Sequence, residues 1–247
     1  MSSLQLATIG LLALISLLVI RIPVGIAMLT VGIFGYVALS GLDPVLAYMK
    51  TAAFWQFASY DFCVIPMFLL MGEFASRSGL SRSLFGAANV FLGHRRGGVA
   101  MAAVGGCGAF GAICGSSLAT AGTMARVAIP ELERYRYSGS LATGALAAGG
   151  TLGILIPPSV ALIIYAIAVQ ANIVQMFQAA LIPGILGLVG YLATISIWVR
   201  LSPASGPVGA RASNRERLHA LIETWPTLLL FVVVIGGIYF GIFDPTE

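Results

Sequence analysis

The sequence predicts an all-α membrane protein, a multi-span helical bundle, and composition carries most of that prediction. Of 247 residues, 59% are hydrophobic and only 9% are charged, and the mean hydropathy is +0.98. Soluble domains carry about 25% charged residues, so this chain cannot cover a soluble surface. The apolar residues fall into long segments, at 4–20, 22–40, 61–76, 97–113, 117–130, 138–169, 175–199 and 222–243. The 30 glycines suit close helix packing and interrupted helices in lipid. The net charge of +4 comes from arginine and carries no nucleic-acid signature. Cys63, Cys107 and Cys114 all lie in apolar segments and read as small packing residues.

Taken in order, the segments are not equivalent. Residues 4–20 have no basic residue before them and no A-x-A site after them, so they read as a retained helix rather than a signal peptide. Residues 41–60 hold Tyr48, Trp55 and Tyr60, as an interfacial stretch does. A span needs about 20 apolar residues. The pair 97–113 and 117–130 is short and rich in small residues, which predicts a re-entrant hairpin over 97–130. Segment 138–169 is too long for one span and is cut by Pro157-Pro158, which predicts a broken helix. The link 201–218, with Pro, Gly, Ser and then a basic patch, reads as a connector.

With that hairpin, crossing the remaining segments in turn puts Arg21, Arg77, Arg82, Arg95, Arg96, Arg126, Arg134, Arg136, Arg200, Arg211, Arg215 and Arg217 on or near one face. Asp43, Lys50, Asp61, Asp244 and Glu247 fall on the other. The arginine face is then cytoplasmic.

Two stretches carry chemistry. The run GAICGSSLATAG at 111–122 places hydroxyls and flexible backbone inside an apolar region. It has the composition of a hairpin tip, with Gly108, Gly111 and Gly115 loosening the first arm and Ser116 and Ser117 capping a second arm that ends at Pro130. The run GGTLGILIPPSVAL at 149–162 contains the proline pair. The prolines free carbonyls around Gly153–Ile156 and open a helix N-terminus at Ser159. Carbonyls bind cations, and a helix N-terminus favours anions. Interrupted helices meeting at mid-membrane are how secondary transporters hold an ion and an anionic substrate. Sodium is hard and takes oxygen ligands, and Ser116, Ser117, Thr120, Thr151 and Ser159 supply hydroxyls beside such carbonyls.

Competing readings use the same residues. Small residues and hydroxyls also serve plain helix packing. Glu73 and Arg77 have the spacing of a helical ion pair, against a proton-carrying role for Glu73. An intramembrane serine hydrolase would need a base within reach of Ser116 or Ser117, and His94 and His219 lie at helix ends or in the link. Neither histidine neighbours a second type of metal ligand. The chain is therefore read as a non-enzyme with no catalytic residue, no cofactor and no metal beyond a coupling ion.

The runs IPMFLLMGEFASRSGLSRSL (65–84), GHRRGGVAMAAV (93–104), FGAICGSSLATAGTM (110–124), AIPELERYRY (128–137), LATGALAAGGTLGILIPPSVALIIYAI (141–167) and IPGIL (182–186) resemble the large permease subunit of tripartite ATP-independent periplasmic (TRAP) transporters. The resemblance implies one half of an inverted-repeat, elevator-type transporter in a bacterial or archaeal inner membrane. It implies sodium-coupled import of organic acids such as C4-dicarboxylates or sialic-acid-like carboxylates. The implied partners are a small four-helix membrane subunit, a periplasmic substrate-binding protein and a second half of the large subunit. By resemblance Gly115, Ser116, Ser117 and Thr120 belong to a sodium site. Gly153, Thr151, Pro157, Pro158 and Ser159 join that site or line the substrate cavity, with Gly153 assigned to the ion and the others to the substrate. The implied organisation is a scaffold with an interfacial segment at 1–60, a transport portion at 61–174, and a helix, basic link and last helix at 175–247.

Family members are roughly twice as long, with a second half bearing its own hairpin and broken helix. A chain carrying one repeat is expected to be truncated, split from its other half, or paired as two copies. The alternative to transport is therefore a half-subunit with an assembly role in the membrane. The one-sided arginines make a direct prediction. Cysteine labelling from outside is expected to reach sites engineered at 43–50 and 171–174 and to miss 205–215, whereas outside labelling at Ser213 would reverse the orientation.

Overall fold

The structure, a computed structural model, describes residues 3–58, 64–209 and 211–242. Tyr60, Asp61, Cys63, Asp244, Glu247 and the side chain of Trp55, all read in the sequence above, lie outside the described residues. Among the described residues every regular element is helical, apart from one isolated antiparallel bridge between Arg96 and Val208. Contacts divide the chain into two compact units, Met1–Phe62 and Cys63–Glu247.

The first unit holds α1 (Ser3–Val19), α2 (Val24–Ser40) and α3 (Leu42–Ala58). The turn after α1 uses Arg21 at φ 68°, and Gly41 at φ 87° closes α2. The stretch read as interfacial is thus a helix, with Tyr48 edge-on to Tyr36 at 6.4 Å between ring centroids. Large apolar side chains such as Leu12, Phe34 and Leu39 are exposed here, as lipid-facing residues are.

The second unit holds α4 (Val64–Arg77), α5 (Leu80–Leu92), α6 (Gly98–Cys114), α7 (Ser117–Arg134), α8 (Gly139–Leu155), α9 (Val160–Ala168), α10 (Ile173–Leu201) and α11 (Asn214–Tyr239). Helices α10 and α11 are long and apolar enough to cross a membrane, and α8 with α9 forms a third such element bent by 43°. Its centre is α6, which is buried along almost its whole length between α5, α7, α8 and α10. Only small residues allow so many neighbours around one helix. A methyl group at Gly149 would stand 3.0 Å from the Cys107 sulfur, and one at Gly106 would stand 2.6 Å from the Met124 methyl. Cys107 and Cys114 are free and buried, in keeping with a packing role.

Three features depart from the sequence reading. Helix α6 runs unbroken through Gly108 and Gly111, so these glycines serve close approach to α8 rather than loosening the arm. Helix α7 continues through Pro130 to Arg134, because an interior proline removes one backbone bond and need not end a helix. Helix α5 was not anticipated. Its Ser81, Leu84 and Phe85 are buried while Arg82 is exposed, and this amphipathic face packs on α6 and α11 without the uniform apolarity of a span.

The link after α10 is also more than a connector. It holds a short 3₁₀ turn, Pro203–Ser205, and α11 begins at Asn214 behind a reciprocal cap between Ser213 and Glu216. Between them the chain lies as a strap across the two turns that join α5 to α6 and α7 to α8. Gly97 N–H donates to the Gly206 carbonyl at 3.2 Å, Gly209 N–H to Gly93 at 3.1 Å, and Ser138 N–H to Ser205 at 3.1 Å. The Tyr137 hydroxyl donates to the Pro207 carbonyl at 3.0 Å and accepts from Val99 N–H at 3.2 Å. Burial raises the Tyr137 pKa above its ordinary value, so the phenol stays a donor at neutral pH. The arginine-bearing turns at 93–98 and 135–138 are thereby gathered with the strap at one end of this unit.

Tyr137→Phe would leave Val99 N–H and the Pro207 carbonyl without this partner. A buried group left unpaired costs about 1–3 kcal/mol, so a lowered unfolding temperature is expected by differential scanning fluorimetry. An unchanged temperature would mean that the strap rests on the turns without holding them.

Candidate functional site

The site is built where the hairpin tip meets the break between α8 and α9. Gly115 ends α6 in the left-handed conformation, φ 63°, which favours glycine. Ser116 then takes an extended conformation and caps α7, its hydroxyl accepting from Ala119 N–H at 3.4 Å. On the other side α8 stops at Leu155, Pro157 and Pro158 follow, and Ser159 caps α9 by accepting from Leu162 N–H at 3.5 Å. Because neither proline has an N–H, the Gly153 and Ile154 carbonyls lose their helical donors.

The two pieces meet backbone to backbone. A methyl group at Gly111 would stand 2.6 Å from the Gly153 Cα. One at Gly153 would stand 2.6 Å from the Thr120 hydroxyl and 2.9 Å from the Ser116 carbonyl. One at Gly115 would stand 3.1 Å from the Pro158 carbonyl. Val160 N–H, at the open end of α9, donates to the Gly115 carbonyl at 3.4 Å. The Thr120 hydroxyl and the Ser116 carbonyl thus lie against Gly153, and the Pro158 carbonyl lies against Gly115. Thr120 and Ser159 are fully buried, and among the described residues the Thr120 hydroxyl makes no hydrogen bond of good geometry, with only the Cys114 thiol, a weak partner, within reach. A buried hydroxyl of this kind is costly unless something pairs with it.

The sequence-derived residues separate on this geometry. Gly115, Ser116, Thr120, Gly153, Pro158 and Ser159 come together, with Pro157 buried beside them. Ser117 is half-buried on the first turn of α7, and its carbonyl would lie 3.3 Å from a methyl at Gly150. Thr151 points elsewhere. Its hydroxyl bonds the Ala148 carbonyl at 2.6 Å and meets the Tyr191 hydroxyl of α10 at 2.9 Å.

Gly72, Ser76 and Gly111 were not singled out as a joint. Helix α4 lies against the tip, where a methyl at Gly72 would stand 2.9 Å from the Cys114 carbonyl, and the Ser76 and Thr123 hydroxyls bond at 2.8 Å. The small residues Gly72, Ala75 and Ser76 on one face of α4 were the available signal. Glu73 pairs with Arg77 on the exposed side of the same helix. Among the described residues no group of three or more His, Cys, Asp or Glu side chains gathers as a metal centre would. The donors at the tip are hydroxyls and carbonyls, the oxygen set that suits a hard monovalent cation.

Comparison with known proteins identifies relatives of this arrangement. Residues 11–247 match the family model described as "Tripartite ATP-independent periplasmic transporter, DctM component". The C4-dicarboxylate TRAP transporter large permease protein DctM of Pseudomonas aeruginosa is 39% identical over 188 residues, covering 76% of this chain and 44% of the relative. The ectoine TRAP transporter large permease protein TeaC of Halomonas elongata is 32% identical over 244 residues, covering 97% of this chain and 56% of the relative. The sialic acid TRAP transporter permease protein SiaT of Haemophilus influenzae is 28% identical over 240 residues, covering 97% and 38%. The chain spans about half the length of the curated relatives it matches.

The backbone contact at Gly153 can be tested directly. Gly153→Ala is expected to push the Ser116–Thr120 turn away, with the loss of about 1–3 kcal/mol typical of overpacking. The Gly122→Ala change, where a methyl meets nothing within 4 Å, is expected to be silent in the same unfolding assay. Equal unfolding temperatures for the two variants would remove the close contact.

Proposed function

The chain belongs to the DctM family of TRAP transporter large permeases, and on that premise we propose that it forms one wall of a sodium-coupled importer of organic solutes, with the tip of the α6–α7 hairpin and the α8–α9 break as its ion site. The observation that carries this reading is the fully buried Thr120 hydroxyl, which among the described residues has no partner better than the Cys114 thiol, beside carbonyls that the prolines deprive of donors. A bound cation gives those oxygens the partner they lack. Sodium at Ser116, Thr120 and Gly153 would draw the hairpin onto the break. The substrate would then meet the N-terminal turn of α9 beside Ser159, whose partial positive charge favours a carboxylate.

The relatives differ in solute, from C4-dicarboxylate to ectoine and sialic acid. Organic acids of the dicarboxylate or sialic-acid kind are the proposed class here, because they match the α9 N-terminus. Completion of the cavity falls to the second half of the large subunit, delivery to a periplasmic binding protein, and support to a small membrane subunit, all in a bacterial or archaeal inner membrane. The half-length match favours a second reading, in which this chain is an assembly partner that transports nothing alone.

Sodium linkage tests the ion site on the purified chain. A ligand that binds only the folded form stabilises it by about 2.7 kcal/mol at a hundred times its dissociation constant. Sodium is expected to raise the unfolding temperature where potassium at equal ionic strength does not. Thr120→Val removes the unpaired hydroxyl at nearly constant shape. It is expected to keep or raise stability without sodium and to abolish the sodium response. Equal responses to sodium and potassium, or a full sodium response in Thr120→Val, would sink the proposal.

A further inference from the structure

A second polar cavity, remote from the hairpin tip, lies at the strapped end of the unit. It has a volume of about 300 Å³ and is lined by Asn89, Val90, Tyr135, Arg211, Ala212 and Glu216, among others. We propose that this cavity holds the phosphoethanolamine headgroup of a membrane lipid.

The lining matches that headgroup group by group. Arg211 lines the cavity, is exposed, and makes no ion pair among the described residues. A guanidinium in this position binds a phosphate diester through paired N–H donors. Among the described residues Asn89 Oδ1 is buried with no hydrogen-bond partner. It fits only because residue 93 is glycine, since a methyl there would stand 2.5 Å from that oxygen. Glu216 Oε2 accepts from Ser213 N–H at 2.6 Å, and no group among the described residues donates to Oε1. The site therefore offers one cation and two acceptors that want N–H donors. A primary ammonium carries three such donors, and a phosphate carries the opposite charge for Arg211. A choline headgroup has the same charges but no N–H, and a glycerol headgroup has no positive charge to set against Glu216.

The place also suits a lipid. The cavity sits where α5 ends and α11 begins, and on these two helices the apolar Phe91, Leu218 and Ile222 are exposed, a surface for acyl chains beside a polar pocket. Arg217 lies over the Phe91 ring at 6.0 Å, and Arg134 over the Tyr135 ring at 5.7 Å. Basic pockets at the ends of membrane helices recognise headgroups in this way.

The experiment uses the purified chain, stripped of lipid in detergent and offered equal amounts of phosphatidylethanolamine, phosphatidylcholine and phosphatidylglycerol. Native mass spectrometry is expected to show severalfold more phosphatidylethanolamine retained than either competitor. The preference should vanish in Asn89→Leu and in Glu216→Gln, which remove the acceptors for the ammonium, whereas Arg211→Gln should lower retention of all three lipids, since they share the phosphate. Unfolding temperature in phosphatidylcholine serves as the folding control. If Asn89→Leu fails to fold, the exposed Glu216 carries the test. Equal retention of the three lipids, a preference that survives Glu216→Gln, or unchanged retention in Arg211→Gln overturns the proposal. So does equal stabilisation by free O-phosphoethanolamine at the same concentration, which would assign the pocket to a soluble ligand.

Discussion

A carbonyl without a donor is tolerable in water and expensive in hydrocarbon. That constraint, applied at Gly153 and Ile154, organises the rest of the larger unit. The two prolines that follow deprive these carbonyls of partners, so the break needs protein around it. The hairpin tip supplies that protein. It reaches the break only because Gly111, Gly115 and Gly153 put nothing between the backbones. Gly111 and Gly153, inside helices, each cost up to about 1 kcal/mol relative to alanine, and this cost is offset by burial of α6 on almost every side. The same closeness keeps water away from Thr120 and makes its unpaired hydroxyl consequential.

The hairpin is held at both ends by different means. At the tip the hold is thin, a backbone bond from Val160 to Gly115 and contacts between small groups, with α4 wedged alongside through Gly72 and Ser76. At the base it is dense, with the strap, both turns and Tyr137 joined by several hydrogen bonds. The ion site proposed at the tip would gain from this asymmetry, since the weak end can yield while the strong end stays fixed.

Much of this was written in the sequence in plain form. Pro157-Pro158 announced the break, the serines after Gly115 announced the cap of α7, and the spacing of Glu73 and Arg77 announced their pairing. Other parts left little trace. The direction of Thr151 depends on the rotation of α8, and a helix with neighbours on several sides has no polar stripe to fix that rotation. Helix α5 escaped notice because its amphipathic face packs on protein, whereas hydropathy reports on lipid. The strap was hidden because its bonds are made by backbone groups of glycine, serine and proline, residue types that also fill unattached loops. The role of α6 glycines was misread for a related reason, since glycine gives the same signal whether it loosens a helix or lets another approach.

The order in which the strap's residues leave the ribosome has a consequence for biogenesis. Both hairpin arms and the broken helix are complete by residue 168, but the groups that tie their lower ends together lie at 205–209. Until α10 has been inserted and the chain beyond it has emerged, Gly97 N–H and the Gly93 carbonyl lack their strap partners. Tyr137 likewise has nothing to reach on the far side. In chain order the hairpin is complete before its base can be fastened, and the fastening comes from sequence remote from the tip. Quality control that monitors unpaired backbone at the membrane surface would act on this interval, and a nascent chain halted within it would present a finished tip on an unfinished base.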